Sequence, residues 1–587
     1  DCNVLVRSLA IKNAGEELLD IGRAYSFCFE LPHLEHGGYF ALRLGGSWAQ
    51  ERIPEIAPIA HGITKLSTLR GASSHTTNPF MGVLKGDCGE DYGECYGVQL
   101  IYSGSFSITA EQTNFVPLRI QGGVSDFNFS WKLKAGETFE TPQAALSYSG
   151  EGLGGMSRAH ADFLRAYVVN PKYAYARRPI IINNWEGTYF DFNNEKLFPM
   201  IDEAAKLGLD MFVLDDGWFG KRNDDKTSLG DWFDNTAKTG GLDKLADDVR
   251  ALGLDFGIWL EPEMISPDSE LYRAHPEYAM VIPGKTPFLH RNQLMLDLTN
   301  DEVKKYVTDS VESVIATTKP AYIKWDFNRV MSDCFSAKVF IGEYCYRYVV
   351  ALYDIMKTLT ENHPEILFEG CAAGGARFDL GILCYFPQIW TSDNTDAADR
   401  TAIQTNTSIC YPPSCMTAHV SASPNKFTGR AYSVSNRFNV ACLFNFGYEL
   451  DCSSFSLPEI KETAKFSDFY KKRRELIQFG EFYRLGGDKA RGFQTVSARK
   501  DKSLAVIIMT ERENGISNRK MAFKGLSENE KYSVVIYDKN LLPYDRFTAS
   551  GSALLSGIFY EKYRLAKEVC PDADFRSFIV EFELLKK

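Results

Sequence analysis

Eight short apolar runs recur between residues 178 and 485: IIINNW, MFVLDD, FGIWLEPE, YIKWD, ILFEGC, QIWTSD, MTAHV and CLFNFGY. Each reads as a buried strand rather than a helix, because it is short and not amphipathic. Amphipathic stretches such as IDEAAKLGLD, LADDVRALGL and VKKYVTDSVESVIATT separate several of them. Strands that alternate with helices need crossover connections, which give parallel pairing. Eight such strands within about 300 residues predict a (β/α)₈ barrel.

The flanks have a different texture. Residues 1–150 carry period-two runs such as GYFALRLGG and GVQLIYSGSFSITA between Gly, Asn and Ser turns, which predicts a large antiparallel β-sandwich. Residues 151–177 read as a linker helix, 178–485 as the barrel and 486–587 as a C-terminal antiparallel β-sandwich. A chain of 587 residues is too long for one core, so several domains are expected. The start, DCNVLVRSLAIKNAGEELLDI, reads as strand, turn, strand, so the chain is expected to be a fragment that begins inside a β domain.

The balance of 65 basic against 76 acidic residues, a net charge of −11, argues against a nucleic-acid or anionic-membrane partner. No apolar run approaches the ~20 residues that span a bilayer. The 13 cysteines include no CxxC pair, and Cys410 and Cys415 have no His nearby to complete a zinc site. A reducing, cytoplasmic setting follows.

In a barrel of this kind the βα loops leave the C-terminal strand ends converging on one cavity. Trp185 and Glu186 close the first strand, Asp215, Asp216 and Trp218 the second, and Trp259, Glu261 and Glu263 the third. Lys324 and Asp326 close the fourth, Cys371 the fifth, Ser392 and Asp393 the sixth. Carboxylates, cations and indoles together suit a neutral polyhydroxy ligand: hydroxyls bond to the charged groups and Trp covers a sugar's apolar face. Two carboxylates on separate strands are what glycoside hydrolysis needs. Lys324 and Asp326 are i and i+2, so they face one side, and the cation favours the ionised acid. Blander readings stand beside these: Asp326 as a turn cap, Asp215-Asp216 as a turn before Gly217, Trp259 as packing, Cys371 as a small buried hydrophobe. His75 and His290 receive no role.

The motifs IKWDFNR and WTSDNTDAADR, with NNWEGTYFDF, VLDDGWFGKRNDD, GIWLEPEMISPDSELYRAHPEY, CAAGGARFD and MTAHVSASPN, resemble glycoside hydrolase family 36, the bacterial α-galactosidases. The resemblance implies an N-terminal β-supersandwich, present in part, before the (β/α)₈ barrel and C-terminal β-sandwich, and a retaining exo-α-galactosidase acting on melibiose and raffinose-type sugars, with no cofactor or metal. It makes Asp326 the nucleophile and Asp393 the acid/base, with Asp396 as rival for the second role. It places Trp185, Asp215, Asp216, Trp259, Arg291, Lys324, Asn328, Cys371, Gly374 and Trp390 around the sugar. It also implies a homo-oligomer, dimer or tetramer, where the full N-terminal region is present. Retention predicts carboxyls about 5–5.5 Å apart, against roughly 6.5–9.5 Å for inversion. The alternatives are an α-N-acetylgalactosaminidase or galactosyltransferase on the same carboxylates, a metal-dependent barrel, and a sugar-binding module without catalysis.

Overall fold

The computed structural model describes residues 2–34, 38–73, 75–114, 116–486, 490–509 and 520–586. The eight apolar runs form strands Ile181–Asn183, Met211–Leu214, Asp255–Leu260, Tyr322–Trp325, Leu367–Gly370, Gln388–Trp390, Met416–Ser421 and Asn445–Glu449. They close into a barrel in that order. Nearly every residue in them is buried, as parallel strands covered on both faces require.

The helix Asp301–Thr318 shows how local chemistry sets the spacing between strands. Val303, Val307, Val311, Val314 and Ile315 form one buried stripe at helical spacing. Asn300 caps its start by accepting from the Glu302 N–H at 3.1 Å, and Asp301 and Glu302 oppose the positive helix end. Lys319, at φ 46°, ends it in the left-handed region. The chain then enters the strand that carries Lys324.

Two compact units share the chain: residues 1–174, 216–246 and 257–393 form one, residues 175–215, 247–256 and 394–587 the other. In the first unit lie a six-stranded and a four-stranded antiparallel sheet. Met81, Val98 and Leu100 of one and Phe106, Ile108, Leu118 and Ile120 of the other share an apolar core. In the second unit, residues 481–584 supply a six-stranded antiparallel sheet with a two-stranded companion. That sheet begins at Glu481, ahead of the boundary expected at 486, because the helix Leu457–Phe479 runs straight into it through Gly480. There a Cβ would meet the Leu476 carbonyl at 2.6 Å.

No disulfide forms among the described residues, and Cys371, Cys410, Cys415 and Cys442 are buried thiols. No described helix is long and apolar enough to cross a membrane.

Candidate active site

Strand register brings the first carboxylate into place. Trp259 pairs with Lys324 across neighbouring parallel strands, so Glu261 and Asp326, two residues on, emerge side by side. The Asp326 N–H extends the ladder to the Leu260 carbonyl at 2.8 Å, and Cys371 does the same to Trp325 at 2.7 Å. Asp326 is 6% exposed. Its Oδ1 accepts from the Phe327 N–H at 2.8 Å and the Ala373 N–H at 3.3 Å. Its Oδ2 accepts from Asn328 Nδ2 at 2.7 Å and Trp259 Nε1 at 3.2 Å.

Burial pushes the Asp326 carboxyl up, but Lys324, the Cys371 thiol, Arg291 and the Phe327 amide outweigh it and hold it below its ordinary value. Burial, then the Asp326 charge, raises the Cys371 thiol well above its ordinary value. It therefore stays an S–H donor rather than a nucleophile. Glu261 goes the other way from its neighbour: burial and the Asp326 charge raise it to about 7. It accepts from Gln293 Nε2 at 2.7 Å, the Asn328 N–H at 2.5 Å and Asn328 Nδ2 at 2.9 Å.

Asn328, expected at the sugar, thus gives both amide hydrogens to carboxylates, one to Glu261 and one to Asp326. It bridges the two carboxylates. Trp259 lies against the same carboxylate. Its N–H edge meets Asp326, and its ring stacks on Phe219 with centroids 6.2 Å apart. Lys324 Nζ lies 5.6 Å from the centre of the Trp390 ring. The same Trp390 donates its indole N–H to Asp393 Oδ1 at 3.0 Å.

The turn after the fifth strand ties the two acids together. Ala373 donates to Asp326, while a Cβ on Gly374 would stand 2.8 Å from the Asp393 backbone nitrogen. Gly374 has φ +83°, so this position demands glycine both for its backbone and for the close approach. Arg291 sits in an exposed turn at φ 53° and acts on Glu261 and Asp326 through its charge. Asp216 accepts both arms of Arg222, each at 2.9 Å, and Arg222 also feels the Glu261 charge.

Within the second unit, Asn183 Nδ2 donates to Asp215 Oδ2 at 2.6 Å, and Asn183 Oδ1 accepts from the Trp185 N–H at 2.7 Å. Trp185 begins a short helix and packs edge-on against Tyr189 and Phe190. Asp396 has a structural engagement. It caps the helix Ala397–Thr407 by accepting from the Ala398 and Asp399 N–H groups. It also takes bonds from Thr428 at 2.6 Å and Arg430 at 2.9 Å.

Comparison with known proteins follows this geometry. A family model described as Melibiase matches residues 138–480, and one for the glycosyl hydrolase family 36 N-terminal domain matches residues 1–134. The chain belongs to glycoside hydrolase family 36. The α-galactosidase AgaA of Geobacillus stearothermophilus is 42% identical over 540 residues, covering 91% of this chain and 74% of that protein. Mel36A of Lactobacillus acidophilus, also an α-galactosidase, is 41% identical over 91% of this chain and 73% of its own. The AgaA crystal structure superposes with a TM-score of 0.93 at 39% identity, over 99% of this chain and 80% of that one. A variant of AgaA bound to raffinose gives the same figures. The Lactobacillus brevis α-galactosidase gives 0.94 at 37% identity, over 100% and 78%.

Sequence reading of this family 36 chain missed a group from the N-terminal sheets. Strands Tyr39–Ser47 and Gln50–Pro58 form a hairpin whose turn is Trp48-Ala49. Trp48 Nε1 donates to Asp393 Oδ2 at 2.8 Å. Arg52 donates to the Gly375 carbonyl at 2.9 Å and to the Thr391 carbonyl. Glu51 Oε2 accepts from Ser392 Oγ at 2.5 Å, and burial pushes its carboxyl up. His75, given no role from sequence, places Nε2 2.6 Å from the Ala373 carbonyl oxygen. The available signal was the Gly-Gly-Ser-Trp run, since Gly46 has φ +129° and no space for a Cβ.

Proposed function

We propose that this chain is a retaining exo-α-galactosidase that cleaves terminal α-galactosides such as melibiose and raffinose-type oligosaccharides. Asp326 attacks the anomeric carbon as the glycosidic C–O bond breaks, and Asp393 protonates the departing oxygen. Water then gives a proton to Asp393 and attacks the same carbon, releasing α-galactose and restoring Asp326. The observation that carries the reading is the contrast between two acids joined by one turn. Asp326 is anchored by four N–H donors beside Lys324, whereas Asp393 is held by two indole N–H groups. The first arrangement keeps a nucleophile charged and aimed, and the second leaves an acid on the side from which a leaving group departs. The double role of Asp396 as helix cap and Arg430 partner favours Asp393 over it. The thirteen free thiols suit a reducing compartment, in keeping with a cytoplasmic location.

The test is covalent labelling with a mechanism-based galactosyl inactivator, read by peptide mass spectrometry, alongside melibiose hydrolysis. A galactosyl adduct on Asp326 with turnover supports the reading. Label elsewhere, or none with no turnover, overturns it. Paired nitrophenyl α-galactoside and α-N-acetylgalactosaminide kinetics decide the sugar.

A further inference from the structure

Two thiols meet outside the site just described. Cys334 lies in the loop that follows the Asp326 strand, and Cys345 lies in the first turn of the helix Tyr344–Asn362. The Cys345 S–H donates to Cys334 Sγ at 3.9 Å, and both residues are half-buried. They share the wall of a cavity of about 310 Å³ with Leu69, Tyr102, Phe127 and Ile341. Leu69, Phe127 and Ile341 are exposed, so the cavity gives solvent a route to both cysteines. Tyr102, 2% exposed, lines it too, and its hydroxyl makes no hydrogen bond among the described residues.

The pair is chemically asymmetric. The bond from Cys345 holds the Cys334 thiol below its ordinary value, with the Arg329 charge helping against burial and Asp333. The same bond, with burial, pushes the Cys345 thiol well up. Cys334 is therefore the sulfur that attacks first and Cys345 the one that follows. Cys88 and Cys95 form a contrasting pair in the same unit. Burial raises both of those thiols, and Cys95 is fully buried.

The loop that carries Cys334 also holds the turn bearing Arg291. Asp333 Oδ2 accepts from the Phe288 N–H at 3.0 Å, and Arg329 donates to the Phe288 and Gln293 carbonyls at 3.1 and 2.7 Å. Gln293 in turn donates to Glu261 at 2.7 Å. A disulfide spans about 2.05 Å, so closing the pair draws Cys334 toward the helix and pulls on Asp333 beside it.

We propose that Cys334 and Cys345 form a modification site for small-molecule disulfides, closing to an intramolecular disulfide that slows turnover by displacing the Arg291 turn. Cys334 gives its proton to solvent and attacks one sulfur of RS–SR. That S–S bond breaks, and RS⁻ leaves and takes up a proton. Cys345 then loses its proton and attacks Cys334 Sγ, breaking the mixed disulfide and releasing a second RSH. Two protein thiols are oxidised and one RS–SR is reduced to two RSH. The effect on turnover rests on the proposed galactosidase reading, whereas the disulfide itself does not.

The test treats the full chain with cystamine, blocks the remaining thiols with iodoacetamide and maps the peptides by mass spectrometry. Wild type is expected to show Cys334 linked to Cys345, with Cys334 reacting roughly tenfold faster than Cys88. C345S is expected to accumulate the mixed disulfide on Cys334, and C334S to leave Cys345 unmodified. Oxidised wild type is expected to lose about tenfold or more of its p-nitrophenyl α-galactoside turnover and to regain it with dithiothreitol. C334S keeps its rate under the same treatment. Absence of the Cys334–Cys345 link in wild type, or a mixed disulfide on Cys345 in C334S, overturns the site and its order of attack. A complete link with unchanged turnover overturns the coupling to the Arg291 turn. A reduced wild type that never turns over overturns the proposed function instead, and the peptide map still decides the thiol site.

Discussion

The two acids of the site stand in contrasting mounts. Asp326 is built entirely by the barrel and its own turn: Trp259, Phe327, Asn328 and Ala373 supply its donors, and Lys324 two residues away supplies its charge. Asp393 takes one donor from its own strand end and one from a hairpin 345 residues earlier in the chain. In its proposed role as nucleophile, Asp326 must remain ionised and fixed and gains from a buried, locally determined cage. In its proposed role as acid/base, Asp393 changes protonation in each half of the cycle and gains from one mount that substrate can reach. The difference teaches that one reaction can ask for opposite degrees of local determination at two carboxylates.

The sharpest test of that contrast removes each acid in turn. Asp326→Ala is expected to lose roughly 10⁴-fold or more of its activity on every α-galactoside, measured by galactose release. Added azide should give β-galactosyl azide, the product of a single displacement. Asp393→Ala is expected to lose about 10²–10⁴-fold on melibiose and far less on an activated fluoride. Azide should then give the α-azide by two displacements. NMR of the azide products reads both outcomes, and the same anomer from both variants would break the comparison.

A subtler test concerns the third carboxylate. Glu261 is raised to about 7, so folding favours its protonated form. That contribution is present in full below its unfolded value and is lost as pH rises through about 7. Asp326, lowered, contributes above its unfolded value and loses that contribution as pH falls. Melting temperatures of wild type and Glu261→Gln from pH 5 to 8 should therefore diverge in slope, with the variant flatter. Parallel curves would show that Glu261 does not titrate in this window.

The smallest effect is reserved for Asp396. Asp396→Ala removes a helix cap and the Arg430 pair, and should cost about 1–2 kcal/mol of stability by denaturant unfolding. The melibiose-to-fluoride rate ratio should stay at its wild-type value. A selective loss on melibiose would move the acid role from Asp393 to Asp396 and undo the contrast.

Much of this was legible in one dimension. Short apolar runs separated by amphipathic helices specify a parallel barrel, because a strand buried on both faces leaves no alternation to hide. Alternation along a strand puts Lys324 and Asp326 on one side. Asp326 and its cation are neighbours in sequence, so the sequence alone determined that pairing. Other features depend on distances that no spacing encodes. Asn328 bridges Glu261 and Asp326 only because strand register sets the two acids side by side. Glu261 is raised because burial and a second carboxylate meet there, and burial is a property of packing rather than of residue type. Trp48, Glu51 and Arg52 belong to a β domain whose period-two pattern announces only a sandwich. Only the tertiary structure decided that this hairpin's turn would end against Asp393, since hydrogen bonds depend on proximity in space and the chain separates these groups by hundreds of residues.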